Sequence, residues 1–400
     1  VVQRKIDIFG YQPAKPGVNH FAILSSCEAM ARSVLISVYP VLMYRALGDA
    51  RLVAEVYLAI GILTLVVALF TPFAGRFIPR RFLYTGAALL MLSGSLVGML
   101  GGYFIPLAIG MNQVALVVIT ICSSAYLMDY IERTQMGRNE TARLFYSGAA
   151  WTIGPFLGVW LMDAQPLAPF IVSSIAVVVM LSFFWWLRLG DGKVIAKALT
   201  PPANPLAYLP RFFRQPLLVA GWTFAVIRSA GWAIYIIYLP IYAQQAGMGA
   251  KAGGLSLSVS NFFLFATPLM LRYLNRTSVR TAIITGFTGS GMLFIAAMLA
   301  AGQPPLAILL LVFATMFLLL LDVSGGLPFL MSVKPSERRE MSAIYATFRD
   351  VSGVISPAFA RLILAFGPLP AVFGACGAGL LACALVARRL HPRLGRKRLG

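Results

Sequence analysis

Thr71-Pro72-Phe73-Ala74-Gly75-Arg76-Phe77 closes one long apolar stretch, and Thr267-Pro268-Leu269-Met270-Leu271-Arg272-Tyr273 closes another, 196 positions later. Both read Thr-Pro-x-x-x-Arg-aromatic, and both run into a basic link. Two more proline sites recur in the same order. Tyr39-Pro40 matches Leu239-Pro240 and Gly154-Pro155 matches Ser356-Pro357, so the three offsets lie between 196 and 202. A long fixed period of this kind marks a duplicated chain whose two halves repeat one architecture.

The stretches that these motifs interrupt are made for a bilayer. Of the 400 residues, 59% are hydrophobic and 12% charged, and the mean hydropathy is +0.82. A soluble domain carries about 25% charged residues, so this chain lacks the polar surface to stay in water. Intrinsic disorder is excluded by the same richness in large apolar residues. Twelve stretches reach the ~20 residues needed to cross a hydrocarbon core. They are 20–44, 52–75, 82–101, 106–131, 143–163, 166–187, 216–243, 252–273, 279–301, 304–331, 341–365 and 368–387. Without water at that depth each must satisfy its own backbone, which makes them helices. The expected fold is all-α and integral to the membrane, with twelve helices in two pseudo-symmetric six-helix bundles.

A net charge of +20 would suggest nucleic acid in a soluble protein. Here 26 of the 33 basic residues fall on one alternating set of segments, comprising the tails and every second link. Three (Arg45, Arg51 and Lys251) fall on the other set, and four (Arg32, Arg228, Arg349 and Arg361) lie within spans. By the positive-inside rule the basic set is cytoplasmic, both termini with it. The expected organisation is a cytoplasmic tail over 1–19 with no cleavable signal, a bundle over 20–187, a linker over 188–215, a second bundle over 216–387, and a basic tail over 388–400. No nucleic acid is expected as a partner.

With these features the sequence resembles the major facilitator superfamily over essentially its whole length. Gly75-Arg76-Phe77-Ile78-Pro79-Arg80-Arg81 looks like that family's Asp-Arg-x-Gly-Arg-Arg loop, with Gly75 in the place of the acid. Gly154-Pro155-Phe156-Leu157-Gly158 looks like the Gly-Pro-x-x-Gly signature of its antiporter branch, where small residues let helices approach and bend. The resemblance implies gating roles for Arg76, Arg80, Arg81, Gly154 and Pro155, and leans towards efflux.

Ionisable groups deep in a membrane cost at least about 2.5–3.5 kcal/mol on insertion scales, so each is a functional candidate. They are Glu28 and Arg32 in span one, Arg228 in span seven, Asp322 in span ten, and Arg349 with Asp350 in span eleven. Glu28 and Arg32 are four apart and can pair on one helical face. The offset of 200 sets Glu28 against Arg228, and in the resembling fold spans one and seven both line the central cavity. Asp322 is the preferred partner of Arg349. A carboxyl removed from water favours its neutral form and can carry a proton; Glu28 is the first candidate, with Asp322 and Asp350 behind it. Arg32, Arg228, Arg349, Trp232, Tyr235 and Asn261 are the substrate-binding candidates.

Other chemistries lack their motifs. His20 and His391 sit at the ends of the membrane region, the four cysteines have no C-x-x-C spacing, and no G-x-x-x-x-G-K-[ST] loop exists. No metal site, cofactor, enzymatic centre or ATP drive is expected. The expectation is a monomeric secondary transporter of the inner membrane, moving a small organic solute by alternating access and coupled to protons. An uncoupled facilitator, a lipid flippase and a transport-inactive sensor are the alternatives.

Overall fold

The computed structural model describes residues 17–75, 77–131, 136–187, 209–333 and 338–390; helices dominate, and there is no strand among them. Outside the described residues lie the N-terminal tail up to residue 16, Arg76, Glu132 and Arg133, most of the central linker, and the C-terminal tail from His391.

Span one is two helices, α1 (Val18–Ile36) and α2 (Val38–Leu47). Pro40 has no N–H for the carbonyl of Ile36, and the helix breaks at Ser37 between them. The first half continues with α3 (Ala50–Ala74), α4 (Arg80–Gly98), α5 (Ile105–Tyr130), α6 (Met136–Ala164) and α7 (Ala168–Trp186). Asp49 caps α3 by accepting the Arg51 backbone N–H at 2.8 Å. The short α8 (Leu209–Phe213) leads into the second half. It holds α9 (Pro216–Gln245), α10 (Gly249–Phe262), α11 (Thr267–Arg276), α12 (Val279–Leu299), α13 (Pro304–Ser324), α14 (Leu327–Ser332), α15 (Arg338–Ala346), α16 (Phe348–Leu364) and α17 (Leu369–Ala387). Span eight is thus split: a 3₁₀ turn, Phe263–Ala266, joins α10 to α11 just before Pro268.

Among the described residues, ten helical stretches are long and apolar enough to cross a membrane. Two more, α6 and the α15–α16 pair, stand where spans five and eleven are expected. The second of these is divided at Thr347 into helices of 9 and 17 residues. The outer faces are apolar: Leu69 and Phe70 on α3, Ile175 on α7, and Leu309 on α13 are all exposed. Patches of this kind suit lipid and would be a liability in water.

The halves meet along seams where α3 packs against α16, α6 against α10, and α2 against α9 and α10. Small residues bring two of the seams to backbone contact. A Cβ on Gly61 would collide with the carbonyl of Gly353, and one on Gly254 would stand 2.8 Å from the Pro155 carbonyl oxygen.

At the end of the bundle away from the basic links, polar side chains cross from half to half. Arg361 Nε meets Glu55 Oε1 at 2.8 Å, and Lys251 Nζ meets Asp163 Oδ2 at 3.2 Å. Arg45 Nη2 donates to Gln244 Oε1 at 3.3 Å, and Gln245 Nε2 donates to the Tyr44 hydroxyl at 3.1 Å. The two ion pairs obey the repeat. Lys251 follows Glu55 by 196 positions and Arg361 follows Asp163 by 198, so acids in one half face bases at the matching sites of the other. Arg361, counted from sequence as an intramembrane charge, belongs to this closure.

Candidate functional site

Towards the basic end the seams part around two adjoining cavities, of about 350 Å³ and about 690 Å³. Both are lined by Ser25, Glu28, Arg32 and Arg143. The first adds Trp151, Trp232, Tyr235, Asn261 and Asp322; the second adds Ala68, Leu127, Arg349 and Asp350 and so reaches towards the basic ends of spans two, four and eleven.

One charge cluster belongs to each half. In the first, Arg32 Nη1 reaches Glu28 Oε1 at 3.4 Å along α1, and its Cζ lies 5.1 Å from the centre of the Trp151 ring. In the second, Arg228 Nε on α9 lies 3.0 Å from Asp322 Oδ1 on α13. That Nε forms no aligned hydrogen bond, so the contact is an ion pair rather than a directed bond. Trp232 Nε1–H donates to the other carboxylate oxygen, Oδ2, at 2.9 Å. The Phe348 ring has two guanidinium groups within cation–π range, with Arg228 Cζ at 5.2 Å and Arg349 Cζ at 5.6 Å from its centre.

These pairings correct two expectations. Arg228 takes Asp322 as its ion-pair partner rather than Glu28, because α13 packs beside α9 in the same half. Asp322 accordingly pairs with Arg228 and not with Arg349, which lies over Phe348. The Glu28–Arg32 pair stands as the four-residue spacing predicts. Asp350 lines the larger cavity.

The aromatic stripe on α9 divides its work. Trp232 faces the cavity and packs edge-on to Tyr235 at 6.2 Å. The Tyr235 hydroxyl turns to α10, bonding Ser260 Oγ and the Ser256 carbonyl, so it braces spans seven and eight. Asn261, also on the cavity wall, donates to the Trp151 carbonyl at 2.8 Å. That carbonyl is the one Pro155 leaves without an intrahelical donor. Phe156 N–H next along α6 donates to Ser258 Oγ at 3.0 Å. Gly154 and Gly158 bring α6 onto α1, where added Cβ atoms would collide with Ser33 and with the Val34 carbonyl. The Gly-Pro motif therefore packs spans one and five and docks span eight.

In the basic link after span two, Arg80 Nη1 binds Asp129 Oδ2 at 2.6 Å, joining α4 to α5 within the first half, and Arg81 Cζ lies 5.0 Å from the Phe82 ring. Sequence reasoning missed Glu55, Asp163, Lys251, Arg361 and Trp151. The repeat offset applied to charges, rather than to prolines alone, would have marked the first four.

The model of the Major Facilitator Superfamily matches residues 21–357. The chain belongs to this family. Among solved structures it is similar to a mutant of the nucleoside transporter NupG, at 14% identity over 93% of this chain and 99% of that one, with a TM-score of 0.72. It is also similar to a POT family transporter in complex with 5-aminolevulinic acid, at 13% identity, 95% and 96% coverage, and a TM-score of 0.75. A third is a bacterial homologue of the iron transporter ferroportin in an inward-facing state, at 15% identity, 92% and 95% coverage, and a TM-score of 0.67. At these identities the likeness is one of fold. Comparison with curated proteins finds no match. The chain is a multi-pass membrane protein of a transporter family, and the family points to transport rather than enzymatic catalysis.

Proposed function

We propose that this protein is a proton-coupled secondary transporter of a small organic solute, with its basic end and both termini in the cytoplasm of a cell whose inner membrane it spans. The observation that carries the reading is the polar cavity between the halves, extended towards the basic end and closed at the other end by Glu55–Arg361 and Asp163–Lys251. In that arrangement the solute site communicates with the cytoplasmic side. Breaking the four-residue closure while the basic ends approach would hand the same site to the opposite side. The bundles are the two moving bodies, residues 20–187 and 216–387, joined through the linker, and the transporter works as a monomer.

Glu28 is the proposed proton carrier. It lines both cavities and is held by Arg32 through one long contact that protonation would release. Asp322 and Asp350 are the further proton sites. Arg32, Arg228, Arg349, Trp232, Tyr235 and Asn261 form or brace the solute site. Export by antiport is the direction favoured by the resemblance of the Gly154–Gly158 segment.

The test is uptake of a bacterial metabolite pool into proteoliposomes, read by mass spectrometry with and without an imposed pH gradient. The reading expects at least one solute to enter above empty vesicles, with uptake that responds to the gradient in the wild type and not in Glu28→Gln. A solute that enters with no response to the gradient makes the protein a facilitator. No solute entering at all removes the transport reading.

A further inference from the structure

The two ion pairs in the central cavity are unequally covered, and the inequality has a direction. On the wall of the first half the cation is the more open partner: the Arg32 side chain is 34% exposed and Glu28 18%. On the opposite wall the sign is reversed, with Asp322 36% exposed and Arg228 12%. The cavity therefore presents a guanidinium from α1 and a carboxylate from α13.

Each open group is fixed by a tryptophan of its own half that lines the same cavity. The Arg32 guanidinium lies over the Trp151 ring, and the Trp232 indole N–H orients Asp322. Each also keeps hydrogen-bonding capacity. A guanidinium has five N–H donors, and Arg32 uses one of them on Glu28 in a long 3.4 Å contact. A carboxylate has about four acceptor sites, and Trp232 occupies one on Asp322.

We propose that this cavity selects zwitterionic solutes, with a carboxylate on Arg32, an ammonium group on Asp322, and the carbon skeleton between the indoles of Trp151 and Trp232. The inference rests on the transport reading and narrows it to a substrate class. A zwitterion matches both poles and brings no net charge into the low-dielectric region. A singly charged solute leaves one pole unmatched and adds a net charge whose desolvation is not returned. The cavity of about 350 Å³ lies at the small end of ligand pockets, the size of an amino acid or a short peptide. Because Arg32 and Asp322 belong to different halves, a bound zwitterion ties the halves together, which couples occupancy to their movement.

The test uses L-leucine, 5-aminovalerate and L-alanyl-L-alanine as probes spanning three charge separations. Each is compared with its deaminated and its decarboxylated analogue by thermal shift of the purified protein. At least one zwitterion is expected to bind about tenfold or more tightly than both of its analogues, the effect of one charge-assisted hydrogen bond. Asp322→Asn should erase the advantage over the deaminated analogue and retain that over the decarboxylated one. Arg32→Gln should do the reverse, a crossed pattern that misfolding cannot produce. The proposal is overturned if no zwitterion binds, or if a singly charged analogue binds as tightly as its parent. The two readings fail separately. A singly charged solute that enters proteoliposomes through this protein removes the zwitterion assignment and leaves transport standing, whereas uptake of nothing removes transport itself.

Discussion

Asn261 of the second half donates its side-chain amide to the Trp151 carbonyl of the first, filling the backbone acceptor that Pro155 leaves open. A proline kink in one bundle is thereby completed by a side chain from the other. Losing that donor should leave a carbonyl unsatisfied at a cost of about 1–3 kcal/mol. Asn261→Ala is expected to lower the melting temperature of the detergent-purified protein. In a Pro155→Ala background, where residue 155 regains its N–H, the same substitution should cost clearly less. A double-mutant cycle with no coupling would remove the account.

The closure at the end opposite the basic links combines two ion pairs of like polarity, Glu55–Arg361 and Asp163–Lys251. Exposed pairs are worth about 0–1 kcal/mol each, so breaking one should shift the balance of conformations by no more than about fivefold. Breaking both with Lys251→Glu and Arg361→Glu sets like charges against each other and should favour opening. The expected readout is faster labelling of a cysteine placed at Ser25, by an impermeant thiol reagent applied from that side, in a background lacking the native cysteines. Exchanging both pairs, with acids and bases traded between halves, should restore slow labelling.

Glu28 lines both cavities and meets Arg32 at 3.4 Å, whereas Asp322 is held on two sides by Arg228 and Trp232. The looser carboxylate is the better proton carrier and the tighter one the better solute anchor. Glu28→Gln is expected to abolish gradient-driven flux while keeping solute counterflow. Asp322→Asn should weaken both. Gradient-driven flux that survives in Glu28→Gln would move the coupling role to Asp322 or Asp350.

Trp232 tests whether that anchor depends on its indole. Trp232→Phe keeps the aromatic wall and removes the 2.9 Å bond to Asp322. Solute affinity should fall about three- to tenfold, near the loss of one hydrogen bond, with little change in melting temperature. A drop in stability with unchanged affinity would make Trp232 a packing residue instead.

The helices were legible because a bilayer leaves a spanning chain no other way to satisfy its backbone, and the duplicated prolines divide the chain near its middle. Glu28 with Arg32 was legible for a local reason, since four residues is one helical turn. The partner of Arg228 was not. The choice among Glu28, Asp322 and Asp350 depends on which helices adjoin α9, and no spacing along the chain encodes that. Asn261 looked like a solute ligand because a polar side chain in a membrane span is conspicuous. Its bond answers a vacancy made by Pro155, 106 positions away. The outer pairs escaped because Glu55, Asp163 and Lys251 lie near span ends, where charges are cheap and draw no notice, although their offsets carry the repeat.

Glycines at two kinds of seam should respond differently to one added methyl group. Gly158 packs α6 onto α1 within the first half, and a Cβ there would collide with the Val34 carbonyl. Gly61 packs α3 onto α16 across the halves, and its Cβ would collide with the Gly353 carbonyl. The first seam stays packed if each half moves as a unit, so Gly158→Ala has no conformation that relieves it. It should cost about 1–3 kcal/mol of stability. The second seam can part, so Gly61→Ala should be relieved by moving the halves and should act on conformation more than on stability. The expected signature is a lowered melting temperature for Gly158→Ala with unchanged labelling of the Ser25→Cys probe, and faster labelling from the end opposite the basic links for Gly61→Ala with a smaller thermal penalty. Equal thermal losses with no change in labelling would mean that the α3–α16 seam is as fixed as the α1–α6 seam, and that the halves do not move about it.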